Sequence, residues 1–122
     1  MYQSILVLYC LITFCPGCAK KTMHDHPLRH EDKLIICNDY SMKPTMQLRK
    51  MLLDEAIVPE QEWLLVEHRG LQKGMSIYTL VAGRGLPLEM HASLDGSERW
   101  RYTYPDSSLQ IWIQDQRVVH WR

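Results

Sequence analysis

The chain has 122 residues, with 14 Lys+Arg against 14 Asp+Glu and a formal net charge of +0 at pH 7. Hydrophobic residues make up 46% of the chain and charged residues 23%, so that one core can be buried and disorder along the whole chain is excluded. The balanced charge gives no general electrostatic reason to expect a nucleic acid as partner. We therefore expect one small globular domain that does not bind nucleic acid.

Residues 1–18 have the pattern of an export signal. They carry no charged side chain, and residues 5–15 read ILVLYCLITFC. This apolar block is about half as long as the roughly 20 residues that a membrane-spanning helix needs. The block precedes Pro16 and Gly17, which favours a secretory signal peptide, although no basic residue comes before it. A buried strand or a short uncleaved membrane segment is the alternative.

The sequence FCPGC at residues 14–18 resembles the lipobox of bacterial lipoproteins, in which a small residue precedes a cysteine that is acylated and becomes the new N-terminus. Gly17 occupies the small position and Cys18 the acylated one, whereas the two residues before Gly17 depart from the usual pattern. The resemblance implies that Cys18 carries lipid. It also implies the outer membrane, because Ala19 rather than Asp follows. The alternative is a free thiol near a cleavage site.

Cysteine usage leaves one thiol to explain. Cys10 and Cys15 would leave with the signal, and acylation would occupy Cys18, so that Cys37 remains. A single thiol in an oxidising compartment is either buried or available for an intermolecular disulfide. We favour burial, because Cys37 follows the apolar residues 34–36.

Residues 19–33 read AKKTMHDHPLRHEDK and have almost no apolar periodicity, which is typical of a flexible tether. The segment holds His24, His26 and His30 next to several carboxylates, and such a mixture can bind a divalent metal. It lacks the Cys/His spacing of a zinc site, so a solvated spacer is the preferred interpretation and we predict no metal and no cofactor.

Residues 34–122 are predicted to form a single domain. Pro44 opens a helix that Pro59 stops, and this helix carries one apolar stripe. The stripe consists of Leu48, Met51, Leu52 and Ala56. Residues 60–69 follow, with acidic residues at their start and basic ones at their end, as a helix macrodipole favours. Residues 63–66 fit a strand equally well.

The segment GMSIYTLVAGRGLP at residues 74–87 predicts a short helix. Ser76 can cap it, and Gly83 or Gly85 can take the left-handed conformation that ends it. Pro87 then prevents its continuation. Its inner face is predicted to carry Ile77, Leu80 and Val81. A helix of about two turns does not persist alone, so it must dock on another element.

Alternating residues predict strands at 98–104 and 109–114, and a third strand at 117–122. Turns are predicted at residues 105–108 and at Asp115-Gln116, where the glycine typical of a two-residue turn is missing. Three antiparallel strands with one apolar face require helices to cover that face. We therefore predict a two-layer α+β domain with helices first and a three-stranded antiparallel meander last.

Several short motifs in order resemble the SmpA/OmlA family of bacterial outer-membrane lipoproteins. They are Gly74-Met75-Ser76, Gly85-x-Pro87, Trp100-x-Tyr102 and Arg117-Val118-Val119, within residues 70–122. The resemblance implies a lipid-tethered adaptor that contacts a larger envelope assembly and supports outer-membrane protein assembly.

The chain departs from this family at three places. Thr79 stands where the family usually has the Glu or Gln that completes a capping box with Ser76, so we expect one backbone amide without its usual partner. Asp115-Gln116 replaces the usual glycine-containing turn. Residues 34–69 have no clear counterpart and are interpreted as an additional helical layer.

The predicted strand at 109–114 places Trp112 opposite its apolar face, together with Gln110 and Gln114. These three residues are the predicted partner-binding residues, because an exposed tryptophan buries much area at little entropic cost. Packing of Trp112 against cross-strand neighbours is the alternative. Trp100 and Tyr102 are predicted to belong to the core.

No catalytic motif stands out. The glycines at residues 83–85 follow a helix rather than opening one, unlike a phosphate-binding loop, and Cys37 has no histidine nearby in sequence. His68, His91 and His120 would have to meet in space to form a site. We predict a non-enzymatic, lipid-anchored adaptor at the periplasmic face of the outer membrane. The alternatives are a lipoprotein subunit of a secretion or conjugation apparatus and a small periplasmic inhibitor, because the family fold is similar to that of β-lactamase inhibitor proteins.

Overall fold

A computed structural model describes residues 27–122. Four helices precede one four-stranded antiparallel sheet, so the predicted α+β class is confirmed. The helices are α1 His30–Met42, α2 Met46–Asp54, α3 Trp63–His68 and α4 Ile77–Arg84, and a 3-10 turn spans Glu60–Glu62. The strands are β1 Glu89–Ala92, β2 Glu98–Tyr104, β3 Ser107–Gln114 and β4 Arg117–Trp121.

Some sequence predictions lie outside this range. The predicted signal peptide, the predicted lipid attachment at Cys18 and two histidines of the predicted tether, His24 and His26, all precede the described residues. Within residues 27–122, no helix combines the length and the apolar character that crossing a membrane requires.

Helix α1 begins at His30, inside the segment that the sequence assigned to the tether, so the predicted boundary between residues 33 and 34 is wrong. The backbone N–H of Arg29 donates to the Asp32 carboxylate at 3.3 Å, and Glu31 and Asp32 lie in the first turn. These acidic side chains stabilise a helix N-terminus. The same charged residues give this segment the composition of a spacer.

Residues 34–69 form a helical layer. Helix α2 begins after Thr45, whose hydroxyl accepts the Leu48 N–H at 3.1 Å, and it ends before Ala56, which has a positive φ of 55°. Of the two interpretations of residues 60–69, the helical one is confirmed by the 3-10 turn and α3. Arg69 ends α3 in the left-handed conformation.

Helix α4 is the centre of the domain. The Ser76 hydroxyl accepts the Tyr78 N–H at 3.1 Å, as the sequence predicted for a capping residue. The predicted inner face is buried, and so are Thr79 and Ala82, because α1 and α3 pack on the sides of α4 that the sheet does not reach. A helix that is buried on nearly every side packs against other secondary-structure elements on all of those sides.

Gly85 ends α4 with φ +84° and ψ −179°. The positive φ predicted for this position is confirmed at Gly85, but its ψ is not that of the left-handed helical conformation, so this part of the prediction is wrong. Gly83, the other candidate, does not have a positive φ. The combination of angles at Gly85 is essentially restricted to glycine. The Tyr102 hydroxyl donates to the Gly85 carbonyl at 2.7 Å, which fixes the end of α4 on the sheet.

The strands follow the order β1-β2-β3-β4, so the prediction of three strands missed β1. Leu88, Met90 and Ala92 alternate with polar residues, which is a strand pattern. The strand is only four residues long and lies at the sheet edge, where none of its residues is buried in the core. The turn between β2 and β3 is also shorter than predicted, because β3 begins at Ser107.

The predicted faces of β2 and β3 are confirmed. Trp100, Tyr102, Ile111, Ile113 and Val118 are buried on the side of the sheet that faces the helices. They join the apolar residues of α4 in one core. The turn between β3 and β4 consists of Asp115 and Gln116, both with positive φ, of 53° and 62°.

Candidate binding face

The helices cover one side of the sheet and leave the other open. We call the open side the outer face. The strand registers arrange it in two rows that cross all four strands. The first row contains His91, Arg99, Trp112 and His120, and the second contains Glu89, Arg101, Gln110 and Arg122.

Trp112 lies near the middle of this face and is half-buried. Its ring is tilted against His120 with 5.2 Å between the ring centroids, and the Arg122 guanidinium carbon lies 5.3 Å from the Trp112 ring centroid. The second distance is that of a cation–π contact. The cross-strand packing that the sequence offered as an alternative is thus present, and part of the ring remains accessible.

The other two predicted partner-binding residues lie on the same face. Gln110 is half-buried, and its backbone exchanges hydrogen bonds of 3.0 and 2.9 Å with Arg122. Gln114 is exposed at the end of β3, opposite Arg117 and beside the tight turn. The strand pattern therefore places Gln110, Trp112 and Gln114 together, as predicted.

The outer face is rich in arginine. Its two rows hold Arg99, Arg101 and Arg122 against the single carboxylate of Glu89. Glu89 accepts hydrogen bonds from the Arg101 guanidinium and from His91 Nε2, the latter at 3.0 Å. The hydrogen bond from Arg101, followed by that from His91, lowers the pKa of Glu89 to about 2. Among residues 27–122, no side-chain carboxylate forms an ion pair with Arg99 or Arg122, and the Arg122 guanidinium lies over the Trp112 ring instead.

A small polar depression adjoins Trp112. It has a volume of about 190 Å³ and is lined by His91, Ser93, Ser97, Glu98, Arg99 and Trp112. Small-molecule sites usually measure roughly 300–1,000 Å³. The depression therefore fits one inserted side chain of a partner better than a cofactor.

A larger groove of about 500 Å³ lies on the helical side of the domain. One of its walls is Arg84, whose guanidinium donates to the Tyr104 hydroxyl at 2.8 Å and to the Arg69 carbonyl at 2.6 Å. Within the described part of the chain, Arg84 Nε is the one buried side-chain nitrogen or oxygen without a hydrogen-bond partner. The Ser41 hydroxyl in this groove donates to the Asn38 carbonyl, and the Glu67 carboxylate in the same groove accepts the indole N–H of Trp63.

The histidines that the sequence offered as candidates for a site do not lie close together in the structure. His91 and His120 share a row of the outer face but lie on β1 and β4, three strand spacings or about 14 Å apart. His68 lies at the end of α3. His30 Nδ1 is 2.7 Å from the Tyr78 hydroxyl and links α1 to α4. In the described range, no three His, Cys, Asp or Glu side chains are grouped closely enough to hold a metal ion.

Cys37 is fully buried, as the sequence predicted. Burial raises the pKa of its thiol to about 12, because the charged thiolate is disfavoured away from water. The thiolate is the reactive form of cysteine, so Cys37 is an inert core residue.

The arginines of the outer face were not among the predicted site residues. The alternation of β2 already places Arg99 and Arg101 opposite Trp100, which is a signal visible in the sequence. The positions of His120 and Arg122 are not visible there, because a register shift between Trp112 and Ile113 interrupts the pairing of β3 with β4.

Comparison of the chain with protein-family models, with curated proteins and with solved structures finds no match. The resemblance to the SmpA/OmlA family therefore stays a prediction that rests on the motifs alone.

Proposed function

We propose that the chain is a lipid-anchored binding module of the bacterial cell envelope. In this proposal, Cys18 is acylated and holds the domain at the periplasmic face of the outer membrane. The lipobox-like residues 14–18 support this anchor, and the polar residues that follow supply a spacer before α1. The domain then docks a larger protein assembly through its outer face, as the SmpA/OmlA resemblance implies for support of outer-membrane protein assembly.

The arrangement around Trp112 is the observation that carries the binding role. Its ring is held by His120 and Arg122 and still reaches solvent, so it can bury area against a partner with little loss of side-chain entropy. Tryptophan and arginine are the residue types most enriched among interface residues that dominate binding energy. A half-buried Trp112 between Arg99 and Arg122 has this composition.

The charge of the outer face indicates the chemistry of the partner. Among residues 27–122, neither Arg99 nor Arg122 forms an ion pair with an acidic side chain, whereas Arg101 is paired with Glu89. An acidic protein surface would satisfy the two arginines and would be attracted to them over several ångströms. The depression beside Trp112 has room for one side chain of such a surface, next to Arg99 and Glu98.

The anchor is tested by mass spectrometry and membrane fractionation of the mature protein. We expect wild type and Cys15→Ala to carry lipid and to sediment with membranes, and Cys18→Ala to be released or left unprocessed. An unmodified Cys18 in the wild type contradicts the anchor. A secreted inhibitor or an uncleaved membrane segment then becomes the better account.

The binding role is tested by capture from detergent-solubilised envelopes with wild type, Trp112→Ala and Leu64→Ala. Leu64 is a matched control, because it is 66% exposed on α3 and lies away from the outer face. We expect Trp112→Ala to lose the captured assembly while its thermal unfolding stays near that of the wild type. Equal capture by Trp112→Ala contradicts the proposal.

The identity of the captured protein separates the possible roles. Barrel-assembly components support a role in outer-membrane protein assembly, and secretion or conjugation components support the second candidate. A single soluble enzyme supports the inhibitor.

A further inference from the structure

Within residues 27–122, strand β1 leaves one edge of the sheet without a partner strand. It is first in the order β1-β2-β3-β4 and, among these residues, pairs only with β2. The Ser93 N–H bonds to the Ser97 carbonyl at 2.8 Å, and the same register pairs His91 with Arg99. Because antiparallel ladders alternate, the backbone groups of Glu89 and His91 point toward β2, whereas those of Met90 and Ala92 point outward.

The opposite edge of the sheet is different. The backbone segment before α4 covers the first part of β4. The Gly74 N–H donates to the Val118 carbonyl at 2.7 Å, and the Val118 N–H donates to the Met75 carbonyl at 2.9 Å. Ser76 also forms an isolated bridge with Arg117. This chain therefore protects the beginning of β4 with its own backbone, and no segment of the described part of the chain covers β1 in the same way.

Apolar side chains follow the open edge. Leu86, Leu88, Met90 and Leu94 are 40%, 67%, 45% and 109% exposed. Met90 is opposite Trp100 and so lies on the side of the sheet that carries the core, beyond the reach of the helices. Natural proteins usually protect a free edge with charge or cover, because outward backbone groups beside apolar side chains favour pairing with another strand.

We propose that a second copy of this chain pairs with β1 in antiparallel fashion, with the two-fold axis at Met90. In this register the outward N–H and C=O of Met90 bond to the same groups of the second copy. Ala92 then lies beside Leu88 of the second copy, although the Leu88 N–H stays bonded to the Arg101 carbonyl of its own chain at 2.9 Å, and Glu89 faces His91 on the outer side. Apolar residues meet apolar residues, and an acidic residue meets a basic one in both halves of the interface.

The pairing closes on itself, since each copy offers one such edge and the two-fold axis uses both. The product is a dimer with a continuous eight-stranded sheet rather than an open fibre. A two-fold axis through this pairing runs perpendicular to the sheet, so both outer faces, each with its Trp112, lie on the same side. The inference does not depend on the proposed envelope function.

Cross-linking tests the register. The background is the full chain with Cys10, Cys15 and Cys18 changed to serine, in a mild detergent, so that the buried Cys37 is the remaining natural thiol. In a hydrogen-bonded antiparallel pair the Cα atoms of Met90 and its copy lie about 5.5 Å apart, within disulfide range. The two Ala92 residues lie roughly 14 Å apart.

We expect Met90→Cys to form a disulfide-linked dimer on mild oxidation, at least about tenfold faster than Ala92→Cys on the same strand. Equal or faster cross-linking by Ala92→Cys overturns the register, and no cross-linking by either variant overturns the dimer.

Sedimentation of the full chain in detergent tests the dimer without cysteine substitutions. We expect a concentration-dependent dimer of the 14.4 kDa chain. Met90→Lys should weaken dimerisation about tenfold or more, because it places two like charges across the axis. Leu64→Lys, at an apolar site on α3 that is more exposed than Met90, should leave dimerisation unchanged. A wild type that sediments as a monomer at every concentration, or two lysine variants that behave alike, overturns the proposal.

Discussion

Thr79 Oγ1 donates a hydrogen bond of 2.5 Å to Glu62 Oε1, and the same carboxylate oxygen accepts the Ser76 N–H at 3.1 Å. In a capping box, the residue at the position of Thr79 would itself supply the carboxylate that accepts the N–H of the capping residue. Here Glu62, from the 3-10 turn before α3, supplies it instead. The Ser76 amide therefore lacks the capping-box partner that is usual in the family, as expected, and Glu62 takes its place. The contact joins the starts of two helices.

Removal of the Glu62 carboxylate should destabilise the domain. Glu62→Ala leaves the Ser76 N–H and the Thr79 hydroxyl, both in buried residues, without their acceptor. An unsatisfied buried donor costs about 1–3 kcal/mol. We expect Glu62→Ala to lower the free energy of unfolding by about 2 kcal/mol in urea denaturation.

Two variants serve as controls for this prediction. Glu62→Gln keeps an oxygen that can accept both hydrogen bonds, so it should cost less than half as much as Glu62→Ala. Glu60→Ala removes an exposed carboxylate from the same turn and should change stability by no more than about 0.5 kcal/mol. Equal losses for the alanine and glutamine variants would show that charge, rather than the hydrogen bonds, is responsible.

Gly85 is the second position where a small substitution should have a large effect. Its φ of +84° with ψ of −179° is strained for any residue with a Cβ. A Cβ at this position would also meet Ser41 Oγ at 3.1 Å and Asn38 Oδ1 at 3.3 Å. We expect Gly85→Ala to lose at least about 1–3 kcal/mol in thermal or urea unfolding, and Gly85→Val to lose more.

Gly74 provides the matched control, because its φ is +89° and no atom lies within 4 Å of the position where its Cβ would stand. Gly74→Ala therefore measures backbone strain without crowding. A larger loss at Gly85 than at Gly74 is expected, and an unchanged melting temperature for Gly85→Val would contradict the role of this glycine in ending α4.

Local patterns predicted the parts of the fold that depend on neighbours in sequence. The cap at Ser76 and the alternation in β2 and β3 are properties of a few consecutive residues, and the structure has both. Strand β1 was not predicted, although its alternation is visible in the sequence, because it has only four residues and so gives a short pattern. The start of α1 was missed because its first turn is charged and because Cys37 is the one residue of this helix that is fully buried.

The candidate site was only partly predictable for a different reason. Trp112 and Gln110 follow from alternation within β3, whereas the contacts of Trp112 with His120 and Arg122 depend on the register of β4 after a bulge. The contact between Glu62 and Thr79 spans 17 residues and joins two helices. Such pairings arise from tertiary packing, which composition and periodicity do not encode.

In the tight turn between β3 and β4, glycine should fit position 116 better than the native glutamine. Asp115 and Gln116 both have positive φ, as a type I′ turn requires, and glutamine is unfavourable in that region. We expect Gln116→Gly to raise the free energy of unfolding by about 0.5–1 kcal/mol in urea denaturation. Asp106→Gly, in the turn where no residue has positive φ, should lower it instead. Destabilisation by Gln116→Gly would contradict strain at this turn.

The ion pair between Glu89 and Arg101 should make stability depend on pH. Because its pKa falls from the ordinary 4.5 to about 2 on folding, the Glu89 carboxylate favours the folded state above pH 4.5, and this contribution disappears as the pH falls toward 2. We expect Glu89→Gln to be less stable than wild type at pH 7, and the difference to shrink between pH 4.5 and 3. The pair is exposed to solvent, so added salt should also reduce the difference. Urea denaturation at pH 7, 4 and 3 measures this difference in stability.

An Arg101→Met background provides the control. There, Glu89→Gln should have a smaller effect on stability with a weaker pH dependence, because the Arg101 hydrogen bond that contributes most to the low pKa of Glu89 is gone. A difference that grows on acidification would assign the low pKa to a group other than Glu89.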